Sequence, residues 1–232
     1  MREICLDTET TGLDPKSGHK IVEIACVELV NKLRTGRVFH AYVNPRRDMP
    51  YEAFKIHGIS TEFLRDKPIF SAVANEFLEF VKDGKLVIHN AAFDLKFLNF
   101  ELEFAGLSPL KMEVIDTLIV ARNKFPGAQN SLDALCKRFG VDLSKRTKHG
   151  ALLDTELLAD VYIELMGGAQ SGLAFDAVAE NSITVEKKFS ATEIINVEKK
   201  IIPSRGFSIS ETELSIHKEF IQKNFKSNLW GY

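Results

Sequence analysis

Arg2-Glu3-Ile4-Cys5-Leu6-Asp7-Thr8-Glu9-Thr10-Thr11-Gly12 opens the chain with an apolar run that ends in two carboxylates one residue apart. Side chains alternate along a strand, so residues i and i+2 share a face. The pattern predicts a buried strand with Asp7 and Glu9 projecting together from its end. Two anions that close raise each other's pKa unless something neutralises them. A hard divalent cation, which takes oxygen ligands, is the simplest neutraliser. A polar strand end running into a turn would look the same, so the motif gains meaning only if further carboxylates converge on it.

The next segments read as strands. Lys20-Ile21-Val22-Glu23-Ile24-Ala25-Cys26-Val27-Glu28-Leu29-Val30 is rich in β-branched residues, Lys32–Arg37 reads as a turn, and Val38–Val43 as a third strand. Short links between them suggest an antiparallel meander. Residues 51–63 read as two short helices, with Gly58 ending the first and Ser60 capping the second. Phe70, Val73, Phe77, Phe80 and Val81 have helical spacing. Leu86-Val87-Ile88 is a short apolar strand; Asn90 then reads as the cap of a helix running to about Ala105, with Asp94 in its first turns. Met112–Asp116 reads as a fifth strand, residues 117–124 and 131–139 as short helices, and 151–166 as a long helix with Asp154 in its first turn. Its apolar face is Leu153, Leu157, Leu158, Val161, Tyr162 and Leu165. Asp116, at the end of its strand, reads as a turn cap rather than a metal ligand.

Bulk properties bound the function. At 232 residues, 45% hydrophobic, the chain fits one domain with a substantial core plus an appendage, or two small domains. A formal net charge of -2 gives no global basic field, so any nucleic-acid contact must be local or made through metal ions. Cys5, Cys26 and Cys136 lack metal-ligand spacing and read as buried thiols of a reducing compartment. With no signal peptide and no apolar run long enough for a bilayer, the expectation is a cytoplasmic protein without a membrane partner.

Gly167-Gly168 marks the expected domain boundary: 1–167 a catalytic domain, 168–209 a linker, 210–232 a terminal helical segment. Ser210-Glu211-Thr212-Glu213 is a capping box. The helix after it carries Leu214, His217, Phe220, Ile221 and Phe225 on one side and is too short to be stable without a surface to cover.

Asp7 and Glu9 at one strand end, Asp94 early in one helix and Asp154 early in another form the candidate constellation. In an open α/β sheet, ligands collect beyond strand ends. Two metal ions about 3.5–4 Å apart would suit four converging carboxylates and orient an in-line attack on a phosphodiester. His149, five positions before Asp154, cannot share its helix face and must come from the preceding loop. A loop imidazole beside such a cluster suits general-base work near neutrality.

These motifs resemble those of the DEDDh exonucleases, and within them the family of proofreading epsilon subunits of bacterial DNA polymerase III. The resemblance rests on Asp7-Thr8-Glu9-Thr10-Thr11-Gly12, His89-Asn90-Ala91-Ala92-Phe93-Asp94 and His149-Gly150-Ala151-Leu152-Leu153-Asp154, with support from Asn130-Ser131-Leu132-Asp133-Ala134-Leu135-Cys136, and covers about residues 1–175. It implies an α/β, ribonuclease-H-like fold: a five-stranded mixed sheet with helices on both faces, plus a C-terminal tail. It implies removal of nucleotides from a DNA 3′ end, single-stranded or frayed, as 5′-monophosphates, with two Mg²⁺ or Mn²⁺ ions. Asp7 would bridge both ions, Glu9, Asp94 and Asp154 would complete their ligands, and His149 would be the catalytic base. Asp7, Thr8, Glu9, Glu52, His57, Phe93 and Asp154 would hold the terminal nucleotide.

The resemblance extends to partners. Gln170, Leu173 and Phe175 are similar to the short peptide that docks on the beta sliding clamp. The tail, including Phe220, Phe225, Leu229 and Trp230, resembles the segment that holds the polymerase alpha subunit, and a small theta-like subunit would complete the complex. Two other readings stay open: an RNA 3′-exonuclease of the same fold, and a subunit that mainly tethers the polymerase. Lys145, Arg146 and Lys148 read equally as DNA-backbone contacts or as a solvated loop.

Overall fold

A computed structural model describes residues 1–144, 146, 148–168 and 210–224. The chain divides into two units, Met1–Val178 and Ala179–Tyr232. The first is built on a sheet of β1 (Arg2–Thr10), β2 (Ile21–Val30), β3 (Leu33–Tyr42), β4 (Lys85–Ile88) and β5 (Val114–Asp116). The spatial order is β3-β2-β1-β4-β5. The β1–β2 and β2–β3 pairs are antiparallel, as the short links require, while β1–β4 and β4–β5 are parallel. The sheet is therefore mixed, with β1 at its centre.

Helices α1 (Tyr51–His57), α2 (Thr61–Leu64), α3 (Phe70–Val81), α4 (Ala91–Phe104), α5 (Thr117–Lys124), α6 (Leu132–Phe139) and α7 (Ala151–Leu165) complete the unit. Even-numbered residues of β1 face one layer: Ile4 and Leu6 pack with Phe77 and Val81 of α3 and Phe97, Leu98 and Leu102 of α4. Odd-numbered residues face the other: Cys5 packs with Leu158 and Tyr162 of α7. Both faces are covered, which is why β2 reads as an almost unbroken apolar run. The same alternation points Thr8 toward α4, and Asp7 and Glu9 toward α7. Burial of α7 extends beyond the expected stripe to Asp154, Thr155 and Ala159: Thr155 donates to the Ala25 carbonyl of β2 and Ala159 packs with Cys5 and Val27 of the sheet, while Leu157, Val161 and Leu165 pack with Leu135 and Cys136 of α6. Leu153 is only partly buried.

Two local expectations need correction. The β2–β3 turn is shorter than Lys32–Arg37. Asn31 and Lys32 adopt φ of 52° and 63°, the left-handed pair of a two-residue hairpin whose twist matches its strands. Strand β3 then starts at Leu33. Asn90 stands at the start of α4 but makes no capping bond with its side chain, since its own φ is 66°. Asp116 does that work, accepting from the N–H groups of Asn90 and Ala91 at 3.2 and 3.0 Å and from Leu118 at 2.9 Å. One carboxylate thus caps two helices, the role its place at a strand end suggested.

Helix α7 is tied to the sheet by buried polar groups. Glu23 of β2 accepts from the Ala151 N–H at 3.0 Å and contacts His40 Nε2 at 2.8 Å. At the far end, the Tyr162 hydroxyl donates to Glu3 at 2.6 Å. All three cysteines are buried and free. Among the described residues no helix is long and apolar enough to cross a membrane.

In the second unit, α8 (Glu211–Asn224) begins with the expected reciprocal cap. The Glu213 N–H donates to Ser210 Oγ, and the Ser210 N–H to the Glu213 carboxylate at 3.0 Å. Ile221 is buried, whereas Leu214, Ile216 and Phe220 are exposed. Gln170, Leu173, Phe175, Phe225, Leu229 and Trp230 lie outside the described residues.

Tyr162→Phe should destabilise the chain by about 1–3 kcal/mol, because it leaves the buried Glu3 carboxylate without its donor. Urea denaturation monitored by circular dichroism measures the loss. The metal-dependent properties of the other end of α7 should be unchanged.

Candidate active site

The carboxyl end of β1 is the meeting point of elements far apart in sequence. Asp7 and Glu9 arrive on β1 itself. Strand β4 runs parallel beside it, with Ile88 opposite Leu6, so α4 starts next to the same edge and brings Asp94 in its first turn. Helix α7 starts against β2, where Glu23 caps Ala151, and presents Asp154 in its own first turn. Helix N-termini carry partial positive charge, which favours carboxylates there.

Polar contacts fix the set. Thr8 donates to Asp94 Oδ1 twice, from its N–H at 3.1 Å and its hydroxyl at 2.7 Å. Both Asp154 oxygens accept from the Arg146 guanidinium, at 2.6 and 2.7 Å. His149, half-exposed on the loop before α7, places Nδ1 3.2 Å from Asp154 Oδ2. Its N–H donates to the Ile56 carbonyl at 3.2 Å, which fastens the loop to α1. Glu9, His149 and Asp154 each offer a ligand atom, and these atoms lie within 4.8 Å of one another.

Electrostatics mark the cluster as short of positive charge. Burial pushes Glu9 up to about 8, helped by the charges of Asp154, Glu23 and Asp94. Asp7 is raised well above the carboxylate range by burial and by Asp94, Glu9 and Asp154. Burial lifts Asp94 to about 7 against the opposing Thr8 hydrogen bonds. Asp154 alone is lowered: its bonds to His149 and Arg146 outweigh burial. Hard oxygen donors crowded in this way fit divalent cations, and neutralisation by them would reverse the upward shifts.

Two cavities flank the carboxylates. The smaller, about 250 Å³, is lined by Asp7, His89, Asp133, Arg146, His149 and Asp154, among others. The larger, about 550 Å³, includes Thr8, Glu9, Glu52, His57 and Phe93 in its wall. His57 has an orphaned buried group there. Its Nδ1 accepts from the Ile59 N–H at 3.0 Å, so the neutral ring carries its proton on Nε2, which has no partner. Phe93 is held against Phe97 with ring centroids 5.2 Å apart.

The structure thus brings together every acidic residue singled out from the sequence, with His149, and gathers Thr8, Glu52, His57 and Phe93 around the neighbouring cavity. Lys148 lies over the Phe54 ring, 5.2 Å from its centroid. Arg146 is committed to Asp133, Asp154 and His149 instead of standing free for a DNA backbone. Sequence reasoning passed over Glu23, although a carboxylate inside an apolar strand run was a visible signal. It also missed Asp133, which looks like any helix-surface acid.

Comparison with known proteins agrees with this geometry. Residues 4–162 match the RNase T exonuclease family. The chain is 53% identical to a DNA polymerase III subunit epsilon of Rickettsia conorii, over 98% of each chain. It is 44% identical to the subunit of the same name from Escherichia coli, over 99% of this chain and 97% of that one. Among solved structures, exonuclease X in complex with 5′ overhanging duplex DNA superposes with a TM-score of 0.56 at 28% identity, over 71% of this chain and 90% of that one. The nuclease domain of 3′hExo, a DEDDh family member bound to rAMP, shares the fold at a TM-score of 0.63 and 21% identity, over 71% of this chain and 91% of that one. The chain belongs to the RNase T exonuclease family and, within it, to the DNA polymerase III epsilon subunits.

Proposed function

We propose that the chain proofreads DNA by removing nucleotides from a 3′ end as 5′-monophosphates, with two divalent ions, Mg²⁺ or Mn²⁺, held by Asp7, Glu9, Asp94 and Asp154. The observation that carries this reading is the convergence of buried, charge-raised carboxylates with His149 at the end of β1. Bound metals supply Lewis-acid polarisation of the phosphate and a more acidic attacking water. His149 takes the proton of that water as its oxygen bonds to phosphorus. The bond from phosphorus to the 3′ oxygen of the preceding nucleotide breaks, and that oxygen takes a proton from solvent to give a new 3′-hydroxyl.

The larger cavity serves the terminal nucleotide. Glu52 and His57 offer polar contacts in its wall, and Phe93 an apolar one. A pocket of about 550 Å³ takes one nucleotide and reads no sequence. Preference for mismatched ends then comes from fraying, because an unpaired base costs less to separate. In the cell the chain would work in the cytoplasm beside the polymerase alpha subunit, with residues 170–175 on the beta clamp, the tail on alpha, and a theta-like subunit completing the complex. The relatives' shared designation supports the DNA reading over RNA trimming. The intact acidic set argues against tethering alone.

Asp7→Asn should abolish nucleotide release and the stabilisation conferred by Mg²⁺. It should also raise the metal-free melting temperature, since Asp7 is half-buried among like charges. Calorimetry with and without Mg²⁺ reads both effects, and a metal-free melting point lowered by several degrees would contradict the account. His149→Ala should keep the Mg²⁺ stabilisation and slow release of the terminal nucleotide by roughly 10²–10⁴-fold; turnover near that of the wild type would remove it from the mechanism.

The pH dependence has a definite sign. Glu9 titrates at about 8 in the fold against 4.5 ordinarily, so the folded chain binds the extra proton over that window. Metal-free stability should fall as pH rises from about 4.5 to about 8. Mg²⁺ affinity should rise over the same range as the carboxyls lose their protons. Melting scans at fixed ionic strength test the pair of trends.

A further inference from the structure

Glu23 is a buried carboxylate beside the cluster that the proposed chemistry does not use. It sits on β2 directly opposite Glu9 and is only 2% exposed. Residues opposite one another in an antiparallel pair share a face, and like charges in that relation oppose the pairing. Glu23 therefore points toward α7 with Asp7 and Glu9, at a cost to the fold.

Its contacts show what it holds. One oxygen accepts the Ala151 N–H at 3.0 Å. The other lies 2.8 Å from His40 Nε2. The Tyr42 hydroxyl, its pKa raised by burial and by the Glu23 charge, faces the carboxylate from the same strand as His40. The His40 and Tyr42 rings meet edge to face, with centroids 4.9 Å apart, and Tyr42 in turn meets Phe63 at 4.8 Å. The carboxylate is thus steadied from β3 and delivered to the start of α7. Ala151 is fully buried there, and Gly150 before it supplies no side-chain cap. The Asp154 N–H bonds to the Gly150 carbonyl at 2.9 Å, so the first turn moves as one piece. A shift at Ala151 carries Asp154 on one side and His149 on the other.

Capping alone does not call for a charge. The amide oxygen of a glutamine would accept the same N–H, without repelling Glu9. The carboxylate adds a field that raises both Asp7 and Glu9. Such a field favours a cation among those two residues and their neighbours.

We propose that Glu23 is a positioning residue with two separable actions. Its hydrogen bond to Ala151 sets where α7 starts, and so where Asp154 and His149 stand. Its charge strengthens the hold of the cluster on a divalent cation, from outside the set of ligands. The first action is independent of any metal; the second rests on the reading of the cluster as a metal site.

Two substitutions in the full chain separate the actions. E23Q keeps an acceptor and removes the charge, whereas E23A removes both. Amide hydrogen exchange at Ala151, measured by NMR on the metal-free chain, reads the first action. Wild type and E23Q should protect this amide alike, and E23A should exchange it on the order of tenfold faster, the worth of one hydrogen bond. H40A, which leaves the carboxylate in place but loosens it, is measured alongside and should speed exchange by a smaller factor, so a failure of E23A to fold does not end the test. Mg²⁺ titration calorimetry at pH 9, above the titration of Glu9, reads the second. E23Q should bind Mg²⁺ on the order of tenfold more weakly than wild type. Ala151 exchange unmoved in E23A, or in H40A where E23A does not fold, overturns the positioning action. Protection lost equally in E23Q and E23A overturns the separation of the two. Wild-type Mg²⁺ affinity in E23Q overturns the action of the charge, whereas no Mg²⁺ uptake by the wild type overturns the metal reading and leaves the exchange result standing.

Discussion

Withdrawal of Asp7, Glu9, Asp94 and Asp154 from water at one strand end, with like charges added at Asp7 and Glu9, is the constraint around which the catalytic unit is arranged. Buried carboxylates at such spacing oppose folding unless each is compensated. The fold supplies partial compensation from three directions. Thr8 gives Asp94 two hydrogen bonds from β1 itself. Helices α4 and α7 point their N-termini at the cluster, with Asp94 and Asp154 in their first turns. Arg146 neutralises Asp154. These devices suffice for Asp154, whose carboxyl is lowered, and fall short for Asp7, Glu9 and Asp94, whose carboxyls stay raised. The shortfall is concentrated on β1 and α4, and it is there that a divalent ion would gain most from binding.

The topology follows from the need to deliver these groups to one edge. Parallel pairing of β4 with β1 puts the start of α4 at the end of β1 that carries the acids. Glu23, opposite Glu9 in the β1–β2 register, accepts the Ala151 N–H and so sets where α7 begins. That placement has a cost, because Glu23 adds its own charge to those raising Glu9. A carboxylate that serves as a structural cap thereby also tightens the demand for a cation next door. Structure and chemistry are not separable at this position.

What could be read from the chain, and what could not, divides along range in sequence. Strand alternation in Ile4-Cys5-Leu6-Asp7-Thr8-Glu9, the capping serine before α2 and the reciprocal Ser210–Glu213 cap are local patterns, and each stands where the sequence placed it. The β2–β3 turn was placed too late because Asn31-Lys32 lacks the glycine that usually announces a left-handed turn. Asn90 looked like a helix cap, and only the arrival of β5 showed that Asp116 takes the bonds. The bond from Ala151 to Glu23 spans 128 residues, and no window on the chain could contain it. The acidic set was legible from its members' places at the ends of elements, and the family resemblance sharpened it, since Asp94 or Asp154 alone is indistinguishable from an acid stabilising a helix terminus.

The loop that carries His149 is attached at both ends of its work. On one side it grips Asp154 through Arg146 and His149. On the other, His149 donates to the Ile56 carbonyl, and Lys148 lies over Phe54 and against Gly58, where any Cβ would come within 2.9 Å of the lysine chain. Ile56 and Phe54 belong to α1, the same helix that supplies Glu52 and His57 to the larger cavity. Helix and loop therefore form one mechanical link between the nucleotide pocket and the proposed base. Movement of α1 at the larger cavity would reach the backbone of His149 through the Ile56 carbonyl.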